Sequence, residues 1–203
     1  KHPILLFEKD SNRYEESASV VYEKLQNMGY TNAYFILDKT YLGRNDIPNQ
    51  YQKNIIDKYS FKHYLYFFTS QTFIGSEALI HALELRASNK KVLNKLDSLD
   101  NDYVFLQHGV MYMISLDSES RTFFRPRSSK GSGKYRVVTS SDAEAEHFIT
   151  LGKHRPEQII VCGLPKFDKN KWDEDADKIV IMPTWRPWEY NEMNTVFEST
   201  KYY

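Results

Sequence analysis

The stretch FLQHGV, residues 105 to 110, sets His108 between an apolar run and a glycine. An imidazole there can take a proton from a hydroxyl near neutral pH, because its unperturbed pKa lies close to the working range. A core histidine satisfied by a backbone carbonyl would leave the same local pattern. Gly109, directly after it, lets the backbone turn sharply or a ligand approach closely. In VTSSDAEAEHF (138–148), Ser140 and Ser141 stand before carboxylates that would fill a first helical turn. That arrangement is an N-cap, and hydroxyls and free N–H groups at a helix start also bind phosphate. In CGLPKFD (162–168), Gly163 and Pro165 make a rigid turn. In MPTWRP (182–187), Thr184 and Arg186 follow another apolar run, and Arg186 can offer a fork of donors to a phosphate or to a surface carboxylate. The other five histidines lack such a setting: His81 and His147 read as helical, and His2, His63 and His154 as surface or packing positions.

Each of these groups trails a short apolar run, which asks what elements carry them. PILLFE (3–8), AYFILD (33–38), TFIGS (72–76), DYVFLQ (102–107), KYRVVTSS (134–141), QIIVCG (158–163) and KIVIMPT (178–184) read as strands. Residues 14 to 28 carry Val20, Val21, Leu25 and Met28 on one helical face, and ALIHALELR reads as a further helical segment. HYLYFFTSQ follows a polar stretch containing Pro48. Continuous apolar runs separated by helices are what a parallel sheet buried on both faces requires. The expectation is an α/β fold, a three-layer Rossmann-like mainly parallel sheet, in which ligands sit beyond the carboxyl ends of the strands. The domain boundaries expected are 1–170 for this layer, an acidic linker at 171–177, and 178–203 as the first strand and stub of a second domain.

Composition bounds the rest. Of 203 residues, 41% are hydrophobic and 27% charged, and Lys+Arg 27 balance Asp+Glu 27, so bulk charge names no partner and gives no reason to expect nucleic acid. One cysteine, Cys162, excludes an intrachain disulfide and any multi-cysteine zinc site, and fits a reducing, cytoplasmic compartment. No apolar run reaches the roughly 18 to 20 residues of a membrane-spanning helix. Charge is uneven locally: between Ser120 and Ser141 there is no carboxylate, while Arg121, Arg125, Arg127, Lys130, Lys134 and Arg136 are cationic. The basic segment 121–136 is either a solvated loop or a patch for anionic lipid or a polyanionic acceptor. Its KGSGKY falls short of a phosphate-binding P-loop, with Ser128 where the first glycine belongs and Tyr135 where a magnesium-holding hydroxyl belongs. HExxH, CxxC and GxSxG are absent. The chain opens in what reads as a strand and stops just after FESTKYY, and the expectation is a piece of a longer protein.

Taken in order, FLQHGV, VTSSDAEAEHF, VCGLPKFD and IVIMPTWR resemble the CDP-glycerol glycerophosphotransferases that make teichoic-type polymers in Gram-positive bacteria. The opening PILLFEKDSNRYEESASVVYEKLQ and the pair AYFILD and TFIGS are similar to that family's N-terminal half. The resemblance implies the N-terminal, acceptor-side half of a two-Rossmann glycosyltransferase-B architecture. It implies transfer of glycerol phosphate, or a related polyol phosphate, from a CDP-polyol donor to a hydroxyl of an anionic polyol-phosphate or lipid-linked acceptor, releasing CMP. His108 would be the general base, Gly109, Ser140, Ser141, Gly163, Pro165, Thr184 and Arg186 would bind substrate, and no metal or other cofactor is implied. The location implied is cytoplasmic, peripheral at the inner face of the cell membrane through the basic segment. The chain departs from the family after His-Gly, where Thr-Pro-Leu-Lys is common and VMYMIS stands here, so a cation expected near the phosphate is missing. Two other readings fit the same residues: an enzyme of this architecture using a nucleotide sugar, and a non-catalytic Rossmann module that binds a polymer or partner. A chain lacking the donor-side domain would itself be inactive.

Overall fold

Alternation within the apolar runs sends successive side chains to opposite faces, and two separate cores result. The computed structural model describes residues 2–83, 101–111, 116 and 135–178. Its seven strands are β1 (Ile4–Phe7), β2 (Ala33–Leu37), β3 (Ile55–Asp57), β4 (Thr72–Gly75), β5 (Asp102–Phe105), β6 (Tyr135–Thr139) and β7 (Ile159–Val161). They form one sheet in the order β3-β2-β1-β4-β5-β6-β7, every neighbouring pair parallel. Leu5 and Phe7 of β1 join Ile36, Phe73, Tyr103, Phe105 and Val137 in the core on one face. Leu6, one residue out of phase, joins Phe35, Leu37 and Val138 on the other. The expected α/β sheet is therefore present, and it is parallel throughout the described residues.

The helices close both faces. α1 (Ser17–Asn27) lays Ala18 and Tyr22 on the second core, while α3 (Phe61–Thr69) and α4 (Asp142–Thr150) lay Phe67 and Phe148 on the first. A single turn, α2 (Asn49–Gln52), leads into β3. α1 stops where Gly29 takes φ +82: the Tyr30 N–H reaches the Leu25 carbonyl at 3.0 Å and the Gly29 N–H reaches Gln26 at 2.9 Å, which satisfies the last carbonyls of the helix. α3 and α4 are capped by serines, Ser60 accepting from the His63 N–H and Ser141 from the Glu144 N–H.

The structure differs from expectation in three elements. β3 sits in NIID, inside what reads as a polar stretch. In the ALIHALELR segment, Leu79–Ala82 form a 3-10 turn, and residues 84 onward lie outside the described residues. DYVFLQ ends as a strand at Phe105, two residues early, because Gln107 takes a left-handed φ of 61° that no strand continues through. The strand expected at KIVIMPT (178–184) lies almost wholly outside the described residues. The chain divides into two units, Lys1–Asn170 and Lys171–Tyr203, and the sheet belongs to the first. Residues 171–178 are exposed.

Candidate functional site

The strand order makes the connections from β1 and from β4 leave in opposite directions along the sheet, which opens a crevice at the carboxyl ends of those two neighbours. His108 follows β5, next to β4, and its side chain is half exposed, 51%. Its backbone is pinned on every side. Leu106 N–H donates to the Gly75 carbonyl at 2.8 Å, and Gln107 Nε2 donates to the Val138 carbonyl at 2.5 Å. Lys166 Nζ donates to the His108 carbonyl, and Met111 N–H donates to Glu144 Oε1 at 2.6 Å. The left-handed turn at Gln107 swings His108 out of the strand path; a non-glycine residue in that region is strained, and such strain collects at functional sites. Of the two roles expected for Gly109, a sharp turn or close approach of a ligand, the left-handed turn falls at Gln107 instead, and Gly109 lies outside that region. Among the described residues no atom lies within 4 Å of a Gly109 Cβ position, so none of them requires a glycine there.

The His108 ring faces Glu77, which begins a row of acidic and imidazole groups from the neighbouring strand ends. Its Nδ1 lies 3.6 Å from Glu77 Oε1, two residues past β4. Glu77 Oε2 lies 3.9 Å from His81 Nε2, and His81 Nδ1 lies 3.0 Å from Asp10 Oδ1, three residues past β1. Tyr103 Oη donates to the Glu77 carbonyl. Burial rises along this row from His108 to Glu77 and His81, whose side chains are 15% and 8% exposed.

Ser140 and Ser141 stand at the end of β6 as expected, and both hydroxyls carry architectural bonds. Ser140 Oγ donates to Glu144 Oε2 at 2.8 Å, its N–H donates to the same oxygen at 2.6 Å, and Ser141 Oγ caps α4. Gly163 takes φ +81, the conformation that the turn after β7 requires. Pro165 opens a 3-10 turn, Pro165–Lys169, that carries Lys166 back to His108. Thr184, Arg186 and most of the basic segment 121–136 lie outside the described residues. Burial pushes the His63 imidazole down to about 4, and it lowers His154 as well, so both are neutral packing groups at neutral pH.

Sequence reasoning missed Asp10, Glu77, His81, Glu144 and Lys166. Asp10, Glu77 and Lys166 each follow a strand, so the rule that singled out His108 also points to them. Glu144 reads as an ordinary first-turn acid, and only the fold folds it back onto two loops. Among the described residues no group of three or more His, Cys, Asp or Glu is arranged to hold a metal ion. No described helix is long and apolar enough to cross a membrane.

Residues 1–202 match the family described as CDP-Glycerol:Poly(glycerophosphate) glycerophosphotransferase. The chain belongs to that family. Within the glycerophosphotransferases, it is 24% identical over 189 residues to the Minor teichoic acid biosynthesis protein GgaB of Bacillus subtilis (strain 168), covering 92% of this chain and 20% of that protein. Among solved structures, the Wall Teichoic Acid Polymerase TagF aligns with a TM-score of 0.55 at 15% identity, covering 82% of this chain and 39% of that one. A histidine-to-asparagine variant of TagF soaked with CDPG aligns with a TM-score of 0.51 at 16% identity, covering 80% and 40%. The chain thus spans about a fifth of GgaB and about two fifths of TagF. Its all-parallel α/β sheet resembles part of the TagF structure, and the α/β fold with a parallel sheet expected from the sequence holds.

Proposed function

We propose that this chain is the acceptor-side half of a transferase that moves glycerol phosphate, or a related polyol phosphate, from a CDP-polyol onto a hydroxyl of teichoic acid or a similar cell-surface polymer. The observation that carries the reading is His108: a half-exposed imidazole on a pinned, strained loop at the carboxyl edge of the sheet, in a chain whose family is defined by this transfer. In the reaction the acceptor oxygen attacks the β-phosphorus of the donor. His108 Nε2 takes the hydroxyl proton, the new O–P bond forms, and the bridging P–O bond breaks to release CMP. Positioning and charge, rather than covalent chemistry by the protein, stabilise such a phosphoryl transition state. Lys166, whose ammonium lies on the His108 carbonyl, supplies a cation at the loop where VMYMIS lacks one. Gly109, Ser140, Ser141, Gly163 and Pro165 shape the substrate side of this edge, while Thr184 binds substrate and Arg186 acts on the donor phosphates. Residues 171–177 serve as a linker and 178–203 as the start of the donor-binding domain. The basic segment 121–136 holds the protein against the inner face of the membrane, where a lipid-linked acceptor resides.

The test is release of CMP from CDP-glycerol by the full-length protein, with UDP release from UDP-sugars measured alongside. His108→Ala is expected to lower the rate about 10²- to 10⁴-fold, the usual contribution of a positioned general base, and His108→Gln to be nearly as slow because an amide cannot take the proton. UDP release in place of CMP release would assign a sugar donor. Full activity in both His108 variants would remove the histidine from the chemistry.

A further inference from the structure

Resting on the reading of His108 as the base, we propose that Glu77 is a positioning residue that holds the His108 imidazole with Nδ1–H toward it and Nε2 toward the acceptor, and that His81 and Asp10 hold Glu77 in turn. A neutral imidazole can accept a proton at Nε2 only in the Nδ1–H tautomer, and the group facing Nδ1 selects that tautomer. Glu77 is the carboxylate facing Nδ1, at 3.6 Å. That separation is an ion-pair distance, longer than a hydrogen bond, and contacts of this kind tighten when substrate is bound. When His108 becomes an imidazolium, the Glu77 charge stabilises it.

Three features distinguish this row from a casual surface pair, which would be worth little. First, Glu77 is mostly buried and its backbone is tied by Tyr103 Oη, so its carboxylate has a fixed aim. Second, Asp10 and Ser11 both adopt left-handed φ, 51° and 54°, and strain of this kind persists only where the surroundings impose it. The same turn makes contact with the row: Ser11 Oγ donates toward the His81 and Ala82 carbonyls at 3.4 and 3.5 Å, while Asp10 Oδ1 lies 3.0 Å from His81 Nδ1. Third, the groups come from the ends of β1, β4 and β5, three adjacent strands at the topological switch. Carboxylates and imidazoles alternate along the row, and exposure is greatest at His108, 51% against 15% for Glu77, 8% for His81 and 21% for Asp10. Lys166 is the cation beside His108, and it bonds the carbonyl of that residue.

The test reads the ring directly. In the ¹⁵N-labelled chain, the ring nitrogen shifts of neutral His108 are expected to report the Nδ1–H form. Glu77→Leu is expected to move the population to Nε2–H, and Glu77→Gln, which keeps an acceptor and loses the charge, to move it part of the way. In the full-length protein both variants are expected to lower kcat, by about 10- to 100-fold for Leu and less for Gln, with KM changed under about threefold, as for other groups that orient a reacting residue from behind. Should Glu77→Leu fail to fold, the Gln variant decides by the same readouts. His108 ring shifts that overlay those of wild type in the variants, with kcat unchanged, would overturn the proposal. That result is separable from failure of the base reading, which would appear as activity surviving His108→Ala.

Discussion

Gly163 sits at φ +81, where an L side chain is strained whatever the space around it, while Gly109 has an ordinary φ and open space at its Cβ position. The two glycines therefore separate structure from function. Gly163→Ala is expected to destabilise the fold by roughly 1–2 kcal/mol, the cost of forcing a Cβ into the left-handed region, and to lower the melting temperature by a few degrees. Gly109→Ala is expected to leave the melting temperature within about 1 °C, surface substitutions without strain being nearly neutral. If Gly109→Ala nonetheless slows CMP release by the full-length protein, substrate approaches the backbone beside His108. Unchanged activity would take Gly109 out of the binding surface. Thermal melts and the CMP assay on the same two variants are sufficient.

At the scale of elements, the site depends on one buried side chain that belongs to neither of the loops it holds. Glu144 starts in the first turn of α4 and accepts from Met111 N–H, Ser140 N–H and Ser140 Oγ, joining the loop after β5 to the loop after β6. Glu144→Ala strips partners from two backbone donors, and each unsatisfied buried donor costs about 1–3 kcal/mol. The expected result is a clear fall in melting temperature, with hydrogen exchange at the Met111 and Ser140 amides accelerated at least about tenfold; exchange as slow as wild type would show that other partners hold the loops. Such reach across elements is why the sequence only partly discloses the site. Strand runs such as AYFIL and YRVVT are legible because burial on both faces demands continuous apolar residues, and residues just past them can be singled out by position. β3 is three residues in a polar setting, with Ile56 in one core and Ile55 only partly buried against the other, and gives no such signal. His81 reads as one more residue of a helix; Glu77 is its neighbour four residues back, whereas Asp10 is brought to it by the pairing of β1 with β4, and Glu77 reaches His108 through the pairing of β4 with β5. The apolar pattern encodes that each strand exists and which faces it buries, whereas the contacts between strand ends follow from strand order.

Across the whole folded unit, the carboxyl of Glu8 joins the first strand to the first helix, and that helix to the last turn of the unit. Glu8 is fully buried at the end of β1 and accepts from Glu15, Glu16 and Ser19 N–H at 2.8, 2.9 and 2.8 Å. It thereby takes the place of a side-chain cap at the start of α1, which has none. α1 in turn binds the Pro165–Lys169 turn, Ser17 Oγ accepting from Lys166 N–H and Ser19 Oγ from Lys169 Nζ. Burial raises the Glu8 carboxyl from 4.5 to about 7, outweighing the three N–H bonds that favour its charged form. A group whose folded pKa is raised holds more protons in the folded state than in the unfolded one, so its stabilisation is complete below about 4.5 and is lost as pH rises through about 7. Glu8→Gln, a neutral stand-in for the protonated acid, removes that dependence. The difference in melting temperature, wild type minus Glu8→Gln, is therefore expected to fall steadily between pH 5 and pH 8, by an amount corresponding to a few kcal/mol if the full shift is expressed. Because the same carboxyl begins a chain of contacts from β1 to Lys166, which bonds the His108 carbonyl, the amide resonances of α1 and of the Pro165–Lys169 turn are expected to titrate with the same midpoint. A difference that stays flat across that range would mean that the N–H bonds, rather than burial, govern Glu8, and that the link between the first strand and the site is insensitive to pH.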